Sequence, residues 1–327
     1  MMKKWIFILS GLLAIQLILT AAVTLTGEDY EAFQAEEKVL SFDKKEVDGL
    51  RIEDGTDSVS LKKQEGKWLL PESSDFPANQ SSVEQLLGKL ATLKKGWPVA
   101  KTRSALRRFK VDEEQFERKL VLLSGDEAQA TLYVGTSPGF RKVHIRPANG
   151  DEVYAVMFNT WDASAKADEW IDKDVLTLEE SDLDRVEIPG VVLHWKDGKP
   201  QVADLGEKEQ TNEKESRSLL GKLSKLRIQS VLGAEIKLEY RQDEPALEVK
   251  ITRKGGEVLN YRFSKSEDAS YYILKRSDLD HYFKVAEYTV NSIKETTRDK
   301  LVQATSEETS SEHTGAKSVE KKSSPRP

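Results

Sequence analysis

The first 25 residues constrain this chain more than any other stretch. Lys3 and Lys4 are followed by 21 residues, Trp5 to Leu25, without one charge. At 1.5 Å rise per residue a helix of that length spans the hydrocarbon core of a bilayer. Glu28 and Asp29 follow the run. Basic residues before it and acidic ones after it predict an N-terminus inside and residues 26–327 outside the cytoplasmic membrane. The competing reading is a cleaved signal peptide, for which Thr20-Ala21-Ala22 offers a weak site. The run exceeds the usual apolar core of a signal peptide, so the expectation is an uncleaved signal anchor.

The remainder has to fold as a polar, exported body. The 327 residues carry a net charge of −6, and Lys3 and Lys4 make the exported part more acidic still. That balance argues against nucleic acid as a partner. The absence of cysteine excludes disulfides, thiolate metal sites, cysteine nucleophiles and a lipid-modified cysteine.

After an acidic spacer at 27–39, alternation begins. Val47, Leu50 and Ile52 lead into Asp54-Gly55; Val59 and Leu61 lead into Glu65-Gly66; then come Trp68, Leu69 and Leu70. This predicts an antiparallel meander with Trp68 as a packing residue. Ser81-Ser82-Val83-Glu84 fits a capping box, with Asn79 a second candidate cap. Val83, Leu86, Leu87, Leu90 and Leu93 then fall on one face of a helix that ends near Gly96 and Pro98. Residues 120–123, 131–134, 143–145 and 153–157 predict four more strands, with hairpin turns at Ser124-Gly125 and Asn149-Gly150. Asn159 is expected to cap a short helix reaching Trp170.

The plan then repeats. Leu86-Leu87-Gly88-Lys89-Leu90 recurs letter for letter as Leu219-Leu220-Gly221-Lys222-Leu223, with its own cap pattern at Asn212 and Glu215. Val47 to Ile52 is echoed by Leu183 to Ile188, and Val59-Ser60-Leu61 by Val191-Val192-Leu193. A spacing of about 130 residues exceeds any solenoid repeat and predicts a duplicated domain. The expected organisation is a tip and anchor at 1–26, the spacer, α+β repeats at 40–177 and 178–302, and a disordered tail at 303–327. Each repeat is an antiparallel sheet with one main amphipathic helix. The tail holds six serines, three threonines and four residues of each charge sign, too polar to bury a core.

Between the first helix and the next strand, Lys94, Lys95, Lys101, Arg103, Arg107, Arg108 and Lys110 occur without an acid, interleaved with Trp97 and Phe109. These seven form the candidate contact with anionic lipid or an acidic partner surface; the alternative is a solvated connection.

Gly66-Lys67-Trp68 before a proline, Phe76-Pro77-Ala78 before the helix, Leu86 to Leu93, Phe109-Lys110-Val111-Asp112, Leu132 to Gly135, Val153 to Val156 and Asp172-Lys173-Asp174-Val175-Leu176 occur in a telling order. In that order the chain resembles the bacterial envelope family of unknown function numbered 4340, which has a membrane helix and a repeated domain. The match covers most of 40–177 and extends more weakly into the second copy. Lys110 stands where that family has glycine, and Pro200 where the first copy has Trp68. The resemblance implies a single-pass inner-membrane protein with its bulk in the periplasm. It also implies an accessory or scaffold role beside ABC-type, gliding-motility-type transport subunits or other envelope proteins. It supplies no catalytic residue. A ligand-binding module for a glycan, peptide or lipid is the second expectation, and a hydrolase without a recognisable motif the third.

Enzyme motifs fail on their chemistry. Gly135-Thr136-Ser137-Pro138-Gly139 spells G-x-S-x-G, but Pro138 has no N–H to offer an oxyanion. Ser60 and Lys63 fit S-x-x-K, yet on a strand they face opposite sides. His144, His194, His281 and His313 lack metal-type spacing. Gly88-Lys89 and Gly221-Lys222 lack the rest of a phosphate loop. No catalytic, cofactor or metal residue is nominated.

Overall fold

The computed structural model describes residues 11–16, 37–139, 141–196, 198–265 and 269–305. Of the apolar run, only residues 11–16 are described; they are helical and exposed. Among the described residues no helix is long and apolar enough to cross a membrane. The rest of the expected anchor, nearly all of the expected spacer, and residues 306–327 of the expected tail lie outside the described residues.

The chain is α+β, with antiparallel sheets and few helices. It divides into two compact units. One comprises residues 1–175, 228–235 and 281–284; the other 176–227, 236–280 and 285–327.

The first sheet begins with the meander β1 (Gly49–Glu53), β2 (Ser58–Gln64) and β3 (Lys67–Leu70), followed by β4 (Phe76–Pro77). Helix α1 (Gln80–Thr92), β5 (Pro98–Ala100) and helix α2 (Arg103–Arg108) come next. Then follow β6 (Arg118–Ser124), β7 (Glu127–Val134), β8 (Lys142–Pro147) and β9 (Val153–Met157). Their order is β4-β3-β2-β1-β6-β7-β8-β9-β5. Alternation along β1 to β3 puts Leu50, Ile52, Val59, Leu61, Trp68 and Leu70 inside, and α1 adds Val83, Leu86, Leu87 and Leu90. Burying each of these aliphatic side chains is worth about 1.5–3 kcal/mol. Asn79, not Ser81, caps α1: its Oδ1 accepts from Ser82 N at 2.9 Å. The capping box loses because Gln80 is already helical, and its side chain bonds Trp68 N and O instead.

The second sheet uses β10 (Leu183–Ile188), β11 (Val191–Lys196), β12 (Lys199–Val202), β14 (Ser230–Gly233), β15 (Leu247–Arg253), β16 (Val258–Ser264), β17 (Tyr271–Arg276) and β18 (Tyr282–Ala286). Its order is β12-β11-β10-β15-β16-β17-β18-β14. Helix α3 (Glu213–Ser224) lies in the chain between β12 and β14, as α1 lies between β4 and β5. Asn212 caps it by accepting from Glu215 N at 3.3 Å, as its pattern predicted. Strand β13 (Glu209–Thr211) pairs with β19 (Val302–Ala304), so Gln303 and Ala304, assigned to the tail by composition, are strand residues. Backbone pairing there needs no apolar side chain. Helices α4 (Glu287–Lys294) and α5 (Arg298–Leu301) precede β19.

Of the four strands that end these two sheets, β4, β5, β12 and β14, three contain a proline: Pro77, Pro98 and Pro200.

Candidate functional site

The last turn of α1 sets one wall of a groove of about 820 Å³ in the first unit. Thr92 Oγ1 donates to Gly88 O at 2.9 Å, and beyond it Leu93 turns extended. The incoming chain is pinned there. Val39 N donates to Leu93 O at 2.8 Å and Lys95 N to Glu37 O at 2.9 Å. This antiparallel pairing holds Lys94, Lys95 and Gly96 along the groove. The opposite wall is the end of β9, Ala155 to Met157, then Phe158, Asn159 and Asp162. Asn159 caps only a single 3-10 turn, Thr160–Ala163, and a second turn spans Ala167–Glu169, where one short helix was expected. Arg141 and Lys142, at the start of β8, close the groove.

The lining is basic and apolar together. Lys89, Lys94, Lys95, Arg141 and Lys142 face one carboxylate, Asp162, which Lys89 engages at 2.7 Å. Lys95 Nζ pairs with Glu37 at 2.6 Å and lies 5.6 Å from the Tyr154 ring centre. Among the described residues, Lys94 and Lys142 have no carboxylate within ion-pair distance. Met157 is 59% exposed on this wall. Trp97 follows Gly96 and is 67% exposed; Trp161, 84% exposed, lines a smaller adjoining pocket that shares Lys89 and Asp162. Such a lining attracts anions and covers hydrocarbon.

The seven basic residues singled out in the sequence do not form one patch. Lys94 and Lys95 lie on the groove. Lys101 pairs with Glu152 at 2.6 Å, and that ammonium, with the Tyr154 hydroxyl, holds Glu152 below the usual carboxylate range. Arg107 pairs with Glu114 at 3.4 Å and Lys110 with Glu117 at 3.2 Å. Arg108 covers the Phe109 ring at 4.6 Å. Arg103 and Arg107 line a separate cavity of about 670 Å³ that also holds Asp112, Glu113, Glu114 and Asp151. The stretch is no mere solvated link, since it contains β5 and α2. Sequence reasoning missed Lys89, Arg141, Lys142, Met157 and Trp161; only Trp161, in a polar context beside Asn159 and Asp162, carried a local signal.

Ser137 belongs to a turn. Its Oγ donates to Gly139 O at 2.8 Å and Lys142 O at 2.7 Å, and the chain continues into strand β8 instead of a helix. His144 is no partner to it: its Nδ1 lies 2.9 Å from Thr136 Oγ1 and its ring 4.2 Å from that of Phe109. Ser137→Ala is expected to cost no more than about 1 kcal/mol, the net worth of one exposed hydrogen bond. Urea denaturation measures it, and labelling of Ser137 by a serine-hydrolase probe would overturn the turn assignment. Ser60 and Lys63 sit on opposite faces of β2, Lys63 lying 3.9 Å from Glu84. His281 Nε2 lies 3.1 Å from Ser74 O, within the first unit. Among the described residues no three metal-ligating side chains gather.

Burial, with the charge of Arg108, holds His144 below the ordinary histidine value. A group lowered by folding binds more protons unfolded, so its contribution is complete above the unfolded value, about 6.5, and is lost as pH falls toward the folded value. The urea midpoint of the native protein should therefore drop more between pH 7 and pH 5 than that of His144→Gln. Equal slopes would place His144 in water.

Antiparallel sheets and sparse helices define an α+β protein, with a basic, apolar groove in its first unit. A family model described as "Domain of unknown function (DUF4340)" matches residues 68–245, and the chain belongs to this family. No curated protein and no solved structure matches it.

Proposed function

We propose that this is a single-pass protein of the bacterial cytoplasmic membrane, N-terminus inside, acting as a non-catalytic accessory or scaffold subunit of an ABC-type envelope transport assembly. The observation that carries this reading is the groove, whose cations and exposed apolar side chains suit contact more than reaction. The uncharged run Trp5 to Leu25, flanked by Lys3 and Lys4 and by Glu28 and Asp29, supports the anchor.

The two sheets support a tandem duplication. From β3 onward the first sheet's order matches the second's strand for strand, with β5 and β14, each following its helix, at the far edge. In this reading both copies are structural and the first carries the contact.

Photo-crosslinking residues at exposed positions outside the groove, placed in intact membranes and followed by identification of the adducts, test the role. Recovery of a transporter subunit from at least one of them is expected, and its absence at every one would overturn the scaffold role. An export-dependent reporter after Leu301 should be active; a mature chain beginning at Val23 would overturn the anchor. The groove's volume and mixed lining also support the second reading, a ligand-binding module for a glycan, peptide or lipid.

A further inference from the structure

We propose that the groove and its flanking tryptophans rest on the anionic headgroups of the bilayer that holds the N-terminal segment. The assignment deepens the membrane-anchored reading above and rests on it. Three observations converge.

The large exposed apolar side chains described between residues 37 and 175 are Trp97, Val99, Met157 and Trp161. Met157 lines the groove, Trp97 and Trp161 flank it, and Val99 lies on β5, which pairs with β9. Tryptophan rings suit the headgroup level, with one end apolar and the other wet.

The charge on this face has a sign. Lys89, Lys94, Lys95, Arg141 and Lys142 line the groove against Asp162 alone, and among the described residues Lys94 and Lys142 have no carboxylate within ion-pair distance. Elsewhere in the basic stretch Lys101, Arg107 and Lys110 each have an acidic partner. Long lysine stems let charge reach the phosphates while the carbons stay on apolar surface.

The tether arrives at this face. Glu37 and Val39 are hydrogen-bonded to Lys95 and Leu93 at the groove wall. Only residues 26–36 separate Glu37 from the apolar run. Even fully extended they reach no more than about 40 Å. So short a link keeps the membrane surface at high effective concentration, which favours lipid over an acidic protein as the occupant.

The chain has no cysteine, so Met157→Cys carries a nitroxide without background. The full chain is placed in vesicles of phosphatidylcholine, with or without phosphatidylglycerol. With phosphatidylglycerol at low salt the label should become several-fold more shielded from an aqueous nickel chelate and open to oxygen. High salt, or Lys94→Gln with Arg141→Gln and Lys142→Gln, should abolish the shift. Should the triple variant not fold, Trp161→Ser at its exposed position gives the same readout. A label at 157 that stays water-exposed in the mixed vesicles overturns the proposal. So does shielding that survives the triple change. Shielding seen only in native membranes assigns the face to an acidic protein and overturns it too. Failure of the unmodified chain to float with neutral vesicles sinks the anchor separately, and the label still reports on the face.

Discussion

Replacing Gly135 by alanine is expected to lower stability by about 3–5 kcal/mol, a large effect for one methyl group. A Cβ there would lie 2.0 Å from Phe109 O and 2.4 Å from Lys110 O. Both are backbone atoms, fixed by neighbouring hydrogen bonds: Thr136 N donates to Phe109 O at 2.9 Å, and Gly135 N to His144 O at 2.8 Å. No rotamer change relieves such a contact; the end of β7 or the 109–110 turn must move. Gly139→Ala, four residues on, meets nothing within 4 Å and should stay within about 0.5 kcal/mol of the native protein. Urea unfolding followed by circular dichroism separates the two. A Gly135→Ala protein within about 1 kcal/mol of native would show that the strand end packs less closely than described. The first glycine of the G-x-S-x-G string is thus required by a close backbone approach and has no bearing on the serine.

Leu90→Ala and Leu223→Ala should each cost about 2–5 kcal/mol, as cavity-forming changes do. Both side chains are fully buried, on α1 and α3 respectively. The glycines in the same repeated strings should behave in the opposite sense. A Cβ on Gly88 meets nothing within 4 Å, and one on Gly221 meets only Glu180 Oε1 at 3.8 Å. Alanine at either position should stabilise by about 0.5–1 kcal/mol through helix propensity. The expected pattern is two losses and two gains, with matching signs in both units. A Leu223→Ala chain as stable as the native one would mean that α3 is not a core helix.

Much of the fold was legible because it depends on local pattern. Period-two alternation placed β1 to β3, the heptad-like stripe placed α1, and the repeated Leu-Leu-Gly-Lys-Leu placed α3. The cap at Asn212 was readable because its partner lies three residues away. What was not legible depends on pairing at a distance. Strand β19 has no apolar signature; it exists because β13, some 90 residues earlier, offers an edge. The groove is a similar case. Lys94 and Lys95 stood out as part of a charge run, but Arg141, Lys142 and Met157 join them only through the β8–β9 pairing. Conversely, Lys101, Arg107 and Lys110 looked exceptional in sequence because their acidic partners lie 7 to 51 positions away.

The prolines at the sheet margins bear on how the protein behaves in a crowd. An edge strand with an unbroken row of free N–H and C=O groups invites another chain to extend it. Pro77, Pro98 and Pro200 each remove a donor from such a row, and β4 and β5 are only two and three residues long. Blunted margins let these molecules collide at high density without joining edge to edge, so the population stays dispersed when it is concentrated.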